Sequence, residues 1–205
     1  QTSFQINKGD YIGIYGDSGC GKTTFSYLIS GLLDPTKGEI KSDGANISEG
    51  INNWQKNFGI VYQSNFFLDA SLEKNITLQD EDLNNKNKEK LIKTIKNTQL
   101  TSLIEPDIIN GLKKQLGERA SNISVGQAQR VAIARALYKK ISLLILDEAT
   151  GNLDEGNEKL ILDQISKLNN EGLTIIQISH DKRTFSKCNR IVEIKNKNFY
   201  EFSAK

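Results

Sequence analysis

Apolar positions along this chain come in short bursts separated by glycine, proline and polar clusters, and the bursts alternate with stretches of helical spacing. Thr2-Ser3-Phe4-Gln5-Ile6 alternates as a half-exposed strand does, Asn7-Lys8-Gly9-Asp10 reads as a turn, and Tyr11-Ile12-Gly13-Ile14-Tyr15 reads as a buried strand. Residues 24–29 read as a helix, and Asp34-Pro35-Thr36-Lys37-Gly38 breaks the chain before a short strand at Glu39-Ile40-Lys41 and a turn at Ser42-Asp43-Gly44. Phe58-Gly59-Ile60-Val61-Tyr62 is a further strand, ending at Gln63. From about Ser64 to Asn122 the chain turns rich in Asn and Lys, with helical spacing at Leu91, Ile92, Ile95 and Leu100, and the run 84–90 reads as a solvated helix start or loop. Strand character returns at Ser142-Leu143-Leu144-Ile145-Leu146. A helix follows over about Glu158 to Leu168 with Ile161, Ile165 and Leu168 on one face, then a strand at Thr174–Ile178. Arg190–Ile194 and Phe199–Phe202, around Lys195-Asn196-Lys197-Asn198, read as a hairpin.

Strands alternating with helices imply an α/β fold with a largely parallel sheet, antiparallel strands at its edge and ligands at the strands' carboxyl ends. The expected organisation is a core formed by residues 1–63 and 123–205. Residues 64–122 form an inserted helical lobe that extends through a helix to about 138.

Composition narrows little. A chain of 205 residues can bury one sizeable core with a smaller lobe, and a net charge of +2 gives no positive argument for nucleic acid as a partner. Cys20 and Cys188 form neither a metal-ligand spacing nor a disulfide framework, which favours a reducing, cytoplasmic setting. The apolar run 143–146 is far too short to span a bilayer and no signal peptide precedes the first strand, so the chain is expected to be soluble. With no methionine and a beginning at Gln1 almost on top of a strand, it reads as a piece of a longer polypeptide.

Candidate chemistry begins at Gly16-Asp17-Ser18-Gly19-Cys20-Gly21-Lys22-Thr23, which fits the phosphate-loop pattern GxxxxGK(S/T). A glycine-rich turn with a surface lysine accounts for those residues taken alone, but the strand before and the helix after supply the setting a phosphate loop needs. Its glycines let successive N–H groups converge on phosphate oxygens, with the helix N-terminus adding partial positive charge. Lys22 is expected against the β and γ phosphates, Thr23 on Mg²⁺, and Thr24 beside them as part of the nucleotide cradle; Cys20 fills a free position. A second element is the strand ending in Asp147-Glu148. Asp147 is placed to hold Mg²⁺ through water, and Glu148, one residue beyond, to accept a proton from the attacking water.

Together these motifs resemble the nucleotide-binding domain of an ABC transporter over nearly the whole chain. The family's motifs occur in its order: the phosphate loop at 16–23, Gln63 as the Q-loop glutamine, Ile123-Ser124-Val125-Gly126-Gln127 as the signature, the strand into Asp147-Glu148, Gly151-Asn152-Leu153-Asp154 as the D-loop, and His180 as the switch histidine. The resemblance implies that Gln63 reaches Mg²⁺ or the attacking water, and that His180 hydrogen-bonds the γ phosphate. Ser124, Val125, Gly126 and Gln127, at the start of a helix of about 127–138 that buries Val131, Ala134 and Leu137, face the nucleotide of a second subunit. It further implies a head-to-tail dimer of two nucleotide-binding domains around two ATP molecules, Asp154 at their interface, and an ATPase working at the cytoplasmic face of a membrane.

Three departures stand out. Val125 replaces the first glycine of the usual signature pair, Gly151-Asn152 replaces the common Ser-Ala of the D-loop, and the aromatic that stacks on adenine lies upstream of where this chain begins. Asp147-Glu148-Ala149-Thr150, Leu116-Gly117-Glu118-Arg119 and Ser71–Ile76 resemble the exporter branch, in which a transmembrane domain is commonly fused ahead of the ATPase. Two alternatives stay open: a soluble ABC-type ATPase acting on nucleic acid, and a regulatory module that binds nucleotide without turnover.

Overall fold

The computed structural model describes residues 3–79, 83–151 and 153–203. In chain order the elements are β1 (Tyr11–Tyr15), α1 (Lys22–Ser30), β2 (Lys41–Ser42), β3 (Ala45–Asn46), α2 (Ile51–Lys56), β4 (Phe58–Tyr62), α3 (Leu72–Thr77), α4 (Asn85–Asn97), α5 (Ile108–Leu112) and α6 (Val125–Tyr138). They continue with β5 (Leu143–Asp147), α7 (Glu155–Asn170), β6 (Thr174–Ile178), β7 (Arg190–Lys195) and β8 (Asn198–Ser203). Two compact units divide the chain, one of residues 1–60, 141–148 and 166–205, the other of residues 61–140 and 149–165.

The first unit is built on a six-stranded sheet in the order β4-β5-β6-β1-β7-β8. β1 pairs in parallel with β6 and β7, and β5 in parallel with β6. Every residue of β5 and β6 is buried, as expected of parallel strands covered on both faces. On one face Leu143, Ile145, Ile176 and Ile178 form a core with Ile12, Ile14 and Val192. In the register of the sheet Ile14 and Asp147 both stand opposite Ile178, so the carboxyl ends of β1, β5 and β6 lie side by side. That alignment decides which loops can meet.

β7 and β8 form the expected hairpin, closed by Asn196 and Lys197, both with positive φ, as a tight two-residue turn requires. Arg190 gathers several partners here. Its guanidinium donates to both oxygens of Glu201 at 2.5 and 2.8 Å, to Asp10 Oδ2 and to the Gln5 carbonyl at 3.0 Å, and its Cζ lies 5.5 Å from the centroid of the Phe4 ring.

The expected strand at the start of the chain is not one: Ser3–Ile6 joins no ladder among the described residues, and Thr2 lies outside them. Side chains hold the segment instead, with Phe4 stacked on Phe199 at 5.1 Å and edge-on to Phe25. Alternation records one covered face, and an aromatic contact covers a face as well as a neighbouring strand does. The short strand expected at 39–41 begins two residues later and pairs with β3 around Asp43-Gly44. Unforeseen is α2, which sends Trp54 Nε1 to the Ile29 carbonyl at 2.6 Å.

Gly13, at the centre of β1, shows how tightly this sheet is packed. A Cβ there would stand 2.7 Å from Phe185 Cγ, on a ring that is itself buried. Gly13→Ala is therefore expected to destabilise the chain by about 1–3 kcal/mol in urea unfolding. An unmoved midpoint would show that the turn carrying Phe185 yields freely.

The second unit has its own core, in which Leu72, Ile76, Leu91, Ile95, Leu100 and Val131 are almost fully buried. Leu91 and Ile95 are the one-turn pair of α4 that the spacing marked, and the polar run before them is its cap and first turn, where Asn84 Oδ1 accepts from Asn87 N at 2.9 Å. α6 starts at Val125, two residues earlier than its apolar spacing indicates, because Ser124 caps it. Leu137 is only half-buried, while Ile133, Ala136 and Tyr138 are buried beside Val131 and Ala134.

Candidate functional site

In the first unit the carboxyl end of β1 opens into residues 16–21. Only glycine fits at Gly16, where a Cβ would lie 2.5 Å from the Ile194 carbonyl oxygen and 2.6 Å from Cys20 Sγ. The loop turns back through Cys20 N, which donates to the Asp17 carbonyl at 3.2 Å. Gly21 then takes the N-cap of α1 with φ of 111°, a left-handed conformation, and brings no side chain to cap the helix. The first-turn N–H groups of α1 are thus left for an anion, in the favourable field of the helix N-terminus. Asp17, Ser18, Gly19, Thr23 and Thr24 are exposed along this surface. Lys22 arches over the loop and donates from Nζ to the carbonyls of Gly16 at 2.7 Å and Asp17 at 3.1 Å.

Asp147, at the end of β5, is tied to the same helix, since Ser26 Oγ lies 2.9 Å from Asp147 Oδ2 and 3.0 Å from the Thr23 carbonyl. Burial raises the Asp147 carboxyl above the ordinary carboxylate value, the Ser26 hydrogen bond opposes this, and the charges of Glu148 and Lys22 pull in opposite directions. Glu148 leaves the strand with φ of 51°, unusual for a residue with a side chain, held by its N–H to the Ile178 carbonyl at 2.9 Å. Its Oε1 stands 3.4 Å from Nδ1 of His180, whose side chain is largely exposed beyond the end of β6. The loop, Asp147, Glu148 and His180 therefore converge at the three aligned strand ends.

The second unit carries Gln63, residues 124–127 and Asp154. At the start of α6, Ser124 and Gln127 form a capping box: Ser124 Oγ accepts from Gln127 N at 3.1 Å, and Gln127 Oε1 accepts from Ser124 N at 3.0 Å. Val125 occupies the first helical position and is 65% exposed, so its isopropyl group stands free at the helix tip. Behind it Arg130 donates to the carbonyls of Gly126 at 3.3 Å and Gln99 at 2.8 Å, and to Asn157 Oδ1 at 2.9 Å. Asn157 in turn donates from its side chain and its backbone N–H to Asp154, which holds that carboxyl below its ordinary value. A chain of hydrogen bonds thus joins Gly126 to Asp154. Asn152 of the D-loop lies outside the described residues. Gln63 is exposed just after β4.

A family model described as ABC transporter matches residues 1–151, about three-quarters of the chain. The lipoprotein-releasing system ATP-binding protein LolD of Buchnera aphidicola is 36% identical over 98% of this chain and 88% of its own length. The chain belongs to the ABC transporter family. Its ABC relatives include the leukotoxin translocation ATP-binding protein LktB of a Pasteurella haemolytica-like species, 34% identical over 93% of this chain, which spans only 26% of LktB. Among solved structures, a bacterial Atm1-family ABC exporter with ATP bound superposes with a TM-score of 0.87 at 28% identity, covering 98% of this chain and 35% of the exporter. A dimeric bacterial ABC transporter cassette gives a TM-score of 0.84 at 25% identity, covering 100% of this chain and 89% of the cassette. The α/β fold and the family read from the sequence are borne out, and the chain is an ABC ATPase domain. Among the described residues no helix is long and apolar enough to cross a membrane.

Four polar residues of this ABC domain escaped the sequence reading: Ser26, Gln129, Arg130 and Asn157. For Ser26, between Phe25 and Tyr27, the available signal was a lone polar side chain between two aromatic ones; the other three carry no such local mark. Ser26 and Gln129 are both buried, and a buried polar group must have a partner somewhere.

Proposed function

We propose that residues 16–24 bind the triphosphate of ATP, with Lys22 turning its ammonium from loop carbonyls to phosphate oxygens. The observation that carries this is the arched Lys22 beside an uncapped helix N-terminus. Thr23 and Asp147 fit Mg²⁺, being hard oxygen donors, an alcohol and a carboxylate, of which the latter is already oriented by Ser26. Bound there, the ion would neutralise phosphate charge. Glu148 is the base that takes the proton of the attacking water, and His180 steadies the γ phosphate and the Glu148 carboxylate. On the family pattern Gln63 reaches the ion or the attacking water.

The chain pairs head to tail with a second nucleotide-binding domain, each signature, Ser124 to Gln127, meeting the nucleotide held by the other phosphate loop. Asp154 lies at that interface. Residues 64–122 form the helical lobe that passes the resulting motion to a transmembrane domain of an exporter, at the cytoplasmic face of its membrane. Support for this wider reading comes from the dimeric cassette and the exporter among the structural neighbours.

A site shared between two copies makes a quantitative demand. ATPase activity of the purified chain should rise faster than linearly with protein concentration while the chain is mostly monomeric. Strictly linear activity across a range in which light scattering finds only monomer would overturn the shared site.

A further inference from the structure

We infer that Gln129 is a positioning residue for Gln63, through which the placement of the signature helix is passed to the glutamine loop. This rests on the role proposed for Gln63 above.

Gln129 is 4% exposed and stands on α6 among buried Val131, Ala132 and Ile133. Packing alone at such a position is served as well by a leucine, whereas a buried amide is costly unless both of its ends are bonded. Both ends are bonded here, and to the two residues that bracket Gln63. Nε2 donates to the Tyr62 carbonyl at 3.1 Å, and Oε1 accepts from Asn65 Nδ2 at 3.3 Å. Asn65 closes the turn locally, donating to the Tyr62 carbonyl at 2.6 Å and accepting from Tyr62 N at 3.2 Å. The backbone carrying Gln63 is thus a small polar turn to which a buried side chain of α6 is bonded at both ends.

That helix is capped by Ser124, five residues before Gln129 and about 7.5 Å along the axis. Over so short a span a helix moves as a rigid rod, and its N-terminal half is secured again by Arg130. Whatever draws Ser124, Val125 and Gly126 toward the other subunit's nucleotide therefore also moves the anchor of the Gln63 turn. Gln63 is exposed at this turn, so a shift of the turn shifts the point from which its side chain springs.

The test compares Gln129→Leu, Gln63→Ala and the double variant of the full chain by steady-state ATP hydrolysis and thermal unfolding. Gln129→Leu is expected to lower kcat about tenfold with KM for ATP within about twofold of the parent, and the double variant to be no slower than Gln63→Ala alone. Gln129→Glu, which keeps the acceptor for Asn65 and loses the donor to Tyr62, should fall between parent and Leu; it carries the same comparison if the Leu variant does not fold. Losses that multiply in the double variant, a raised KM, or a fall in activity explained by a lowered Tm would assign Gln129 a structural role only and overturn the inference. If Gln63→Ala turns over like the parent, the role of Gln63 fails and this inference with it. If Gln63→Ala is slow and the Gln129 variants are not, the inference alone fails.

Discussion

Lys22→Ala binds no ATP at concentrations that saturate the parent chain; this is the largest effect the structure leads us to expect. The ammonium is already inside the loop, 2.7 Å from one carbonyl and 3.1 Å from another, so a triphosphate meets it without reorganising the helix. Hydrogen bonds to charged groups are worth about 1.5–3 kcal/mol each, and a lysine spanning two phosphates makes more than one. Affinity should therefore fall by at least about 10²-fold. The alanine also deprives the Gly16 and Asp17 carbonyls of the ammonium that bonds both, which loosens the loop itself. Titration with a fluorescent nucleotide measures the change, with the Tm of the nucleotide-free variant as the control for folding. Retained affinity in a folded variant would remove residues 16–24 from the phosphate site.

Glu148→Gln separates binding from chemistry. Glutamine is nearly isosteric, the N–H bond to the Ile178 carbonyl belongs to the backbone and survives, and the left-handed φ is no harder for Gln than for Glu. What disappears is the ability to take a proton, and general-base catalysis is worth roughly 10² to 10⁴ in rate. Turnover should drop by that factor while ATP affinity stays near that of the parent. In the proposed ATP-bridged pair hydrolysis releases the two partners, so the variant should also accumulate as a nucleotide-dependent dimer on gel filtration. Unchanged turnover would take Glu148 out of the role, leaving His180 without its carboxylate partner in the reaction.

Much of the first unit was legible because its chemistry sits on contiguous residues. A glycine loop between a strand and a helix, or two acids at the end of an all-apolar strand, carries its meaning within about eight residues. The hairpin was legible for the same reason. What stayed hidden depends on partners distant in sequence. Ser26 looks like one more polar position in α1 until Asp147, 121 residues later, is found against it. Gln129 and Arg130 look like the solvated side of α6 until Tyr62, Gln99 and Asn157 are found around them. The start of α6 was misjudged because apolar spacing marks the buried face and not the cap; Ser124 followed by Gln127 was the signal that placed it. α2 has only Ile51 and Trp54 as large apolar residues in a six-residue helix, too short a run for any period to emerge.

One guanidinium, that of Arg190, holds Asp10 and the Gln5 carbonyl on one side and Glu201 on the other. The earliest and latest described segments are therefore moored to a single post. A cut or insertion within residues 5–10 therefore reaches the β7–β8 hairpin, and one at Glu201 reaches back to Asp10, so changes made for crystallisation should leave residues 3–10 and 190–203 intact.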